Sequence, residues 1–133
     1  MRLRHLRTRA QFQALLGTPA VARTAHFALH RRPAPALAPG DDALFGPPDT
    51  AWLGAMTPKR WARRAVTRNA IRRQIYAVGE NLAPPLSPLG AGAHLVRLRS
   101  AFAPARFPSA RSDALKRAVR AELLQLFARS HRE

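Results

Sequence analysis

Seven basic side chains and no acidic one lie between Ala51 and Gly79. A helix that only has to stay in solution usually mixes Glu with its Arg, because opposite charges four residues apart stabilise it. Guanidinium groups without such partners pair with phosphate through two parallel hydrogen bonds and stack on bases. The segment therefore predicts a surface for a polyanion, and a purely solvated charged face is the less favoured interpretation. Its basic residues are Lys59, Arg60, Arg63, Arg64, Arg68, Arg72 and Arg73.

The whole chain has the same bias, with 23 Lys and Arg against 7 Asp and Glu in 133 residues and a formal net charge of +16. Self-repulsion on this scale opposes a compact state, whereas each neutralised phosphate releases counterions and adds affinity. The composition thus favours a nucleic-acid partner.

Groups that could catalyse a reaction are scarce. Cysteine is absent, which excludes disulfides, thiol chemistry and cysteine-ligated zinc. Asp41 and Asp42 are adjacent carboxylates, but they lie in a loop rich in Pro and Gly, where a solvated turn is a better interpretation than a metal or acid–base site. We therefore expect no catalytic residue and no metal or cofactor bound by the protein alone.

The elements that position the basic segment can be predicted from periodicity. Thr8 and Gln11 form a capping box that begins a helix over residues 8–16. Alternating apolar residues predict strands at 25–32, 52–57 and 94–99. In the first strand Phe27 and Leu29 share one face and Ala28 and His30 the other.

Two further helices follow from apolar stripes. In the helix over 65–79, Ile71, Ile75 and Val78 fall within about 60° of arc, which leaves the remaining surface to Arg and Asn69. The last helix begins at Ser112 as N-cap, with the longest stripe in the chain. That stripe consists of Leu115, Val119, Leu123, Leu126 and Phe127.

The predicted fold class is α+β, a small mixed sheet of three to four strands flanked by helices. The order is α-β-β-α-β-α, with room for one more short strand in residues 33–50. We expect one RNA-binding domain over residues 1–133, with an ordered core at about 3–130 and a flexible loop at 33–50. The first seven residues lack an apolar stretch, and no run approaches the roughly 18 apolar residues of a membrane helix. A cytoplasmic protein without a membrane partner is therefore expected.

The stretch LGAMTPKRWARRAVTRNAIRRQI, residues 53–75, resembles the signature of the bacterial ribonuclease P protein component. In that family a strand with a Gly leads into a basic pair, an Arg-rich turn and an Arg-Asn-Arg helix with a further basic pair. The resemblance covers roughly residues 3–130. Three positions depart from the pattern: Ala70 replaces the second Arg of the motif, Leu16 takes a commonly aromatic place, and Tyr76 takes a commonly basic one. The matching positions are Gly54, Lys59, Arg60, Arg63, Arg64, Arg68, Asn69, Ile71, Arg72 and Arg73.

The resemblance implies a left-handed βαβ crossover and two separate RNA-binding surfaces. One would dock on the catalytic RNA, and the other would hold the single-stranded 5′ leader of precursor tRNA between the first helix and the sheet. Without the resemblance, Phe12 is more simply a core residue and His30 a half-buried one. The docking face would comprise Arg60, Arg63, Arg64, Arg68, Asn69, Arg72 and Arg73, and the leader cleft Phe12, Leu16, His30, Lys59 and Arg99.

The resemblance further implies that the RNA performs catalysis, with Mg²⁺ held mainly by RNA. The protein would bind its RNA 1:1, need no protein partner, and cleave nothing alone. Three alternatives remain at this point. A ribosomal or nucleoid basic protein shares the charge but does not account for the ordered motif. A stand-alone nuclease lacks visible catalytic carboxylates. A membrane-active cationic protein is disfavoured because the helices have core-facing stripes.

Overall fold

The computed structural model describes residues 3–33, 51–82, 92–103, 106–107 and 113–130. These residues form five strands and three helices in the order β1-α1-β2-β3-β4-α2-β5-α3. The strands are β1 (Leu3–His5), β2 (Ala20–Arg23), β3 (Phe27–Pro33), β4 (Ala51–Met56) and β5 (Gly92–Leu98). The helices are α1 (Arg9–Leu16), α2 (Ala65–Leu82) and α3 (Asp113–Ser130).

The strands form one mixed sheet in the order β1-β4-β5-β3-β2. Strand β4 runs parallel to both β1 and β5, and β3 runs antiparallel to both β5 and β2. The α+β class and the mixed sheet are confirmed. Helix α2 supplies the expected crossover between the parallel strands β4 and β5, and the hand of that crossover stays a prediction.

The sheet has more strands than the three to four predicted, because β1 and β2 were missed. β1 contains only Leu3, Arg4 and His5, so it offers one apolar residue and no alternation to detect. β2 is Ala-rich and follows Pro19 directly, a sequence pattern that is typical of a loop. The extra strand suggested for residues 33–50 falls largely outside the described residues, as does the Ser112 cap.

The start of α1 agrees with the predicted capping box. The backbone N–H of Gln11 donates to Oγ1 of Thr8 over 3.1 Å, and the N–H of Thr8 donates to Oε1 of Gln11 over 3.1 Å. The same Oε1 accepts the N–H of Arg7 over 2.7 Å. Three backbone donors that the helix cannot satisfy itself are therefore paired.

Each face of the sheet has its own core. Helices α2 and α3 cover one face, where Phe27, Leu29, Val96 and Leu98 are buried. The predicted α3 stripe is confirmed here, since all five of its members are at most 2 % exposed. Helix α1 covers the other face over a smaller core, which consists of Leu6, Leu15, Trp52, Ala93 and Leu95.

Gly54 permits the close approach of α1 and the β1–α1 segment to β4. A Cβ at this position would lie 2.5 Å from Cδ1 of Leu6 and 3.0 Å from Cε1 of Phe12. Only glycine leaves room for both side chains over the strand.

Glu122 of α3 fixes the turn between β2 and β3. Its Oε2 accepts the Thr24 hydroxyl over 2.5 Å and the His26 backbone N–H over 2.7 Å. Its Oε1 lies 2.7 Å from Nδ1 of His26. A half-buried carboxylate with three contacts to these two residues holds this corner of the sheet against α3.

Candidate nucleic-acid interface

Helix α2 divides its surface as the periodicity predicted. Ile71, Ile75 and Val78 are at most 1 % exposed and pack in the larger core. Away from this stripe Asn69, Arg72 and Arg73 are exposed, and so are Arg63 and Arg64 just before the helix. Of the seven residues predicted for the docking face, these five are exposed on α2 or just before it, and the name is used for them from here on; Arg60 is exposed as well, and Arg68 is half-buried. The five present four guanidinium groups and one amide to solvent.

Arg68 has a different position from its neighbours. It is half-buried, and its Nη1 donates to the carbonyl of Ala62 over 3.1 Å and to that of Arg63 over 2.8 Å. The guanidinium therefore holds the basic connector, residues 59–64, against the start of α2. The sequence assigned Arg68 to RNA contact alone and this structural role was missed. The residue pattern does not show which backbone carbonyls of a turn lack a hydrogen-bond donor.

Tyr76, at a place that is commonly basic, ties α2 to the sheet. Its ring stacks on the ring of His5 with centroids 3.9 Å apart, and its hydroxyl oxygen accepts the N–H of Ala55 over 3.3 Å. Burial raises the pKa of the phenol above its ordinary value, although the Ala55 N–H and the charge of Arg72 act in the opposite direction. The side chain is therefore neutral and contributes packing.

The second basic surface lies on the α1 side of the sheet, centred on His30 and Arg97. Nδ1 of His30 lies 2.9 Å from the carbonyl of Thr18, and Nε of Arg97 donates to Nε2 of His30 over 3.3 Å. This pattern assigns the neutral ring with its proton on Nδ1, because Nε2 must accept. Burial lowers the pKa of His30, and the charges of Arg97 and Arg23 lower it further, against the opposing effect of the Thr18 carbonyl.

Arg97 lies among other positive charges. Burial lowers the pKa of its guanidinium, and the charges of Arg99, Arg60 and Arg23 lower it further. We call Arg23, Arg97 and Arg99 the arginine cluster, and Arg60, which the sequence assigned to the docking face, is close enough for its charge to act on Arg97. None of them pairs with an acid among the described residues, where the acidic contacts are His5–Glu80 and His26–Glu122. Like charges held together without a counterion favour the binding of an anion.

The predicted cleft residues occupy varied environments. Phe12 is half-buried over Gly54 and packs on the smaller core, so its simple interpretation as a core residue holds in part. His30 is only 6 % exposed and supports Arg97. Nη1 of Arg99 donates to the Thr24 carbonyl over 2.8 Å. Leu16 is 39 % exposed and Lys59 is exposed, and their place in a cleft stays a prediction.

Sequence reasoning missed two members of the arginine cluster, Arg97 and Arg23. The alternation in β5 does place Arg97 on the same face as Leu95, beneath α1. Arg23 and Arg97 both pair in register with Ala28 of β3, one from each side. The alternation of residues along a strand shows on which face of the sheet an arginine lies. Only the register between strands shows that Arg23 and Arg97 are close to each other.

The acids of the described segments do not converge on either surface. Glu80 contacts His5, Glu122 contacts the β2–β3 turn, and Asp113 begins α3. Within those segments no group of three or more His, Cys, Asp or Glu could hold a metal ion. None of the helices described is long and apolar enough to cross a membrane.

Comparison with known proteins adds an independent line of evidence. The family model for ribonuclease P matches residues 1–126. Ribonuclease P protein components of Bordetella parapertussis and Bordetella bronchiseptica are each 38 % identical over 122 residues, which is 90 % of this chain and 85 % of theirs. That of Ralstonia pickettii is 36 % identical over 117 residues, 88 % of this chain and 71 % of its own.

The fold agrees with these matches. The crystallised Staphylococcus aureus RNase P protein superposes with a TM-score of 0.64 at 18 % identity, over 93 % of this chain and 92 % of that one. The likeness at this identity concerns the fold, and the sequence matches carry the relationship. With the family model spanning nearly its full length, the chain belongs to the ribonuclease P protein family.

Proposed function

We propose that this chain is the protein subunit of ribonuclease P, and that it uses its two basic surfaces for two RNAs. The docking face binds the catalytic RNA, and the arginine cluster beside α1 binds the 5′ leader of precursor tRNA. By holding both, the protein assists endonucleolytic removal of the leader, which gives the mature tRNA 5′ end. The family match over residues 1–126 is the observation that carries the proposal.

The geometry of the docking face supports binding to a folded RNA. Four exposed arginines, two just before α2 and two near its middle, can each reach a phosphate, and Asn69 adds a donor and an acceptor. Contacts of this kind set position and orientation and depend little on base sequence. A subunit that always binds the same RNA can dock on it through such contacts without reading its base sequence.

The surface on the α1 side of the sheet is better suited than the docking face to bind single-stranded RNA. A single strand needs a positive groove together with apolar surfaces on which bases stack. The arginine cluster supplies charge, while Phe12 and Leu16 expose part of their apolar surface nearby on α1. In this proposal Arg97 contacts the leader, and His30 acts beneath it by holding its guanidinium in place.

In this proposal the protein binds the two RNAs, and the catalytic RNA carries out the cleavage. The described acids have other partners or lie apart, so Mg²⁺ ions are held mainly by RNA oxygens in this proposal. The protein binds one catalytic RNA, requires no protein partner, and works in the cytoplasm. A ribosomal or nucleoid role is not favoured, because family membership accounts for the ordered motif as well as for the charge.

Reconstitution tests the proposal directly. The full chain is mixed with the ribonuclease P RNA of its own host and a precursor tRNA, at a Mg²⁺ concentration too low for the RNA alone to cleave. We expect 5′ leader removal with both components and none with the protein alone. The same protein with an unrelated structured RNA of equal length is the control. Absence of stimulation, or cleavage by the protein alone, would overturn the proposal.

A further inference from the structure

A cavity of about 290 Å³ lies between the basic connector, the segment after β5 and the start of α3. Trp61, Phe102 and Phe107 supply its aromatic lining, and Leu115 closes it from α3. The volume is at the small end of ligand sites, which suits one planar ring system better than a length of chain.

The aromatic lining is held in place by contacts of its own. The ring of Phe102 stacks on His26 with centroids 3.9 Å apart and planes inclined by 10°. Phe107 meets Phe102 edge-on, with centroids 5.9 Å apart. Glu122 in turn anchors His26 through both backbone and ring. The lining is thus prearranged by α3 and the β2–β3 turn, which lowers the entropic cost of binding.

Positive charge surrounds this apolar cavity. Arg60, Arg63 and Arg64 line it, and the guanidinium carbon of Arg60 lies 5.2 Å from the centroid of the Trp61 ring. The guanidinium carbon of Arg106 lies 5.6 Å from the ring of Phe107. No acid is among the described residues that line the cavity. A ligand that fits is flat and aromatic and carries negative charge at its edge, which describes a nucleotide.

We propose that this cavity receives one unpaired base of the catalytic RNA, stacked on the aromatic lining, with the adjoining phosphates on Arg63 and Arg64. The inference rests on the proposed function and adds a single-base contact to its docking face. The base comes from the catalytic RNA because Arg63 and Arg64 belong to that face. Arg97, at the centre of the proposed leader-binding cluster, lies instead on the α1 side of the sheet.

Filling the cavity tests the proposal without removing a core contact. Ala101 lines the cavity and is exposed, so Ala101→Leu adds bulk there, while Ala103→Leu places the same side chain at an exposed position two residues on, outside the lining. We expect Ala101→Leu to weaken binding of the catalytic RNA about tenfold, the scale of one lost base stack. The salt dependence should stay as in the parent, since no phosphate contact is lost. Ala103→Leu should bind like the parent.

Tryptophan emission supplies a second measurement in the Trp52→Phe background, where Trp61 is the remaining indole. Stacking of a base should quench that emission when catalytic RNA is added and should fail to do so in Ala101→Leu. Quenching by precursor tRNA alone, with none from catalytic RNA, would overturn the assignment of the base to the catalytic RNA.

The outcomes separate this inference from the proposed function. If the chain stimulates cleavage and Arg72→Ala/Arg73→Ala weakens RNA binding, but Ala101→Leu and Ala103→Leu both bind like the parent, the cavity is not a base site. If the chain neither stimulates cleavage nor binds catalytic RNA, the proposed function fails and the base site fails with it.

Discussion

Nε of Arg97 donates to Nε2 of His30 over 3.3 Å, between diagonal positions on the neighbouring strands β5 and β3. The Nδ1–H of the histidine donates to the carbonyl of Thr18, which lies beyond α1. A chain of two hydrogen bonds therefore runs from the segment after α1 to a guanidinium in the arginine cluster. The histidine works as a neutral spacer in this arrangement, and its protonation would remove the acceptor that Arg97 uses.

The His30–Arg97 contact predicts a pH dependence. Because the pKa of His30 is lowered, the folded state binds fewer protons than the unfolded state just below pH 6.5, the ordinary histidine pKa. The contribution of His30 to the free energy of unfolding should therefore be fully present above pH 6.5. It should be lost as the pH drops below that value. NMR titration of the ring should give a pKa below 6.5. Arg97→Met should raise it, and Arg120→Met on α3 should not. An unchanged pKa in Arg97→Met would contradict the assigned hydrogen bond.

If the arginine cluster binds the 5′ leader as proposed, its removal should cause a selective loss of affinity. Replacing Arg97 and Arg99 by Met should weaken holoenzyme binding of precursor tRNA about tenfold, as expected for contacts to a single strand. Binding of mature tRNA, which has no leader, should change little. Lys116→Met with Arg117→Met on α3 is a control of equal charge. Equal losses for both tRNA forms would remove the arginine cluster from the leader site.

The docking face predicts a change in salt dependence. Arg72→Ala with Arg73→Ala should lower affinity for the catalytic RNA and reduce the log–log salt slope, since each phosphate contact contributes about 0.9 on a duplex. Arg117→Ala with Arg120→Ala removes two exposed charges from α3 and should leave the slope nearly unchanged. Filter binding over a range of salt concentrations measures both. If the two double variants behave alike, binding follows net charge and the docking face is not specific.

Arg68 should behave as a structural residue. Arg68→Ala removes hydrogen bonds to the carbonyls of Ala62 and Arg63, and we expect a loss of about 1–3 kcal/mol in the free energy of unfolding. Arg72→Ala, four residues along the same helix, should cost less than about 0.5 kcal/mol, because it is exposed. Urea denaturation compares them, and equal stability of the two variants would contradict the role given to Arg68.

Two glycines should respond in opposite ways to alanine. Gly54→Ala places a Cβ 2.5 Å from Leu6 and should destabilise by about 1–3 kcal/mol through overpacking. Gly17→Ala meets nothing closer than 3.6 Å, at a φ of −73°, and should be neutral or stabilise by about 0.4–1 kcal/mol. Thermal melts of the two variants give the comparison. A stable Gly54→Ala would mean that α1 can move away from β4 freely.

The features predicted correctly from sequence are those encoded locally. The capping box at Thr8 and the stripe of α3 each depend on residues within one element, and both are confirmed. Strand β1 was missed because its pairing with β4 joins Leu3 to Ala51, and a three-residue segment has no periodicity of its own. The arginine cluster was missed in part because Arg23 and Arg97 meet only through the register of β2, β3 and β5. Local pattern shows the face of a residue, and long-range pairing decides its neighbours.

The position of β5 in the sheet has a consequence for synthesis of the chain. β5 lies between β4 and β3, yet it is the last of the five described strands in chain order and therefore the last of them to leave the ribosome. Until residues 92–98 emerge, the pairs β2–β3 and β1–β4 have no strand to join them, and β3 and β4 would each expose unpaired backbone N–H and C=O groups along one edge. Unpaired edges of this kind invite pairing with other chains. We therefore expect ribosome-bound chains that stop before residue 92 to be degraded by protease along their whole length, and protection of both halves to appear together once β5 and α3 are exposed.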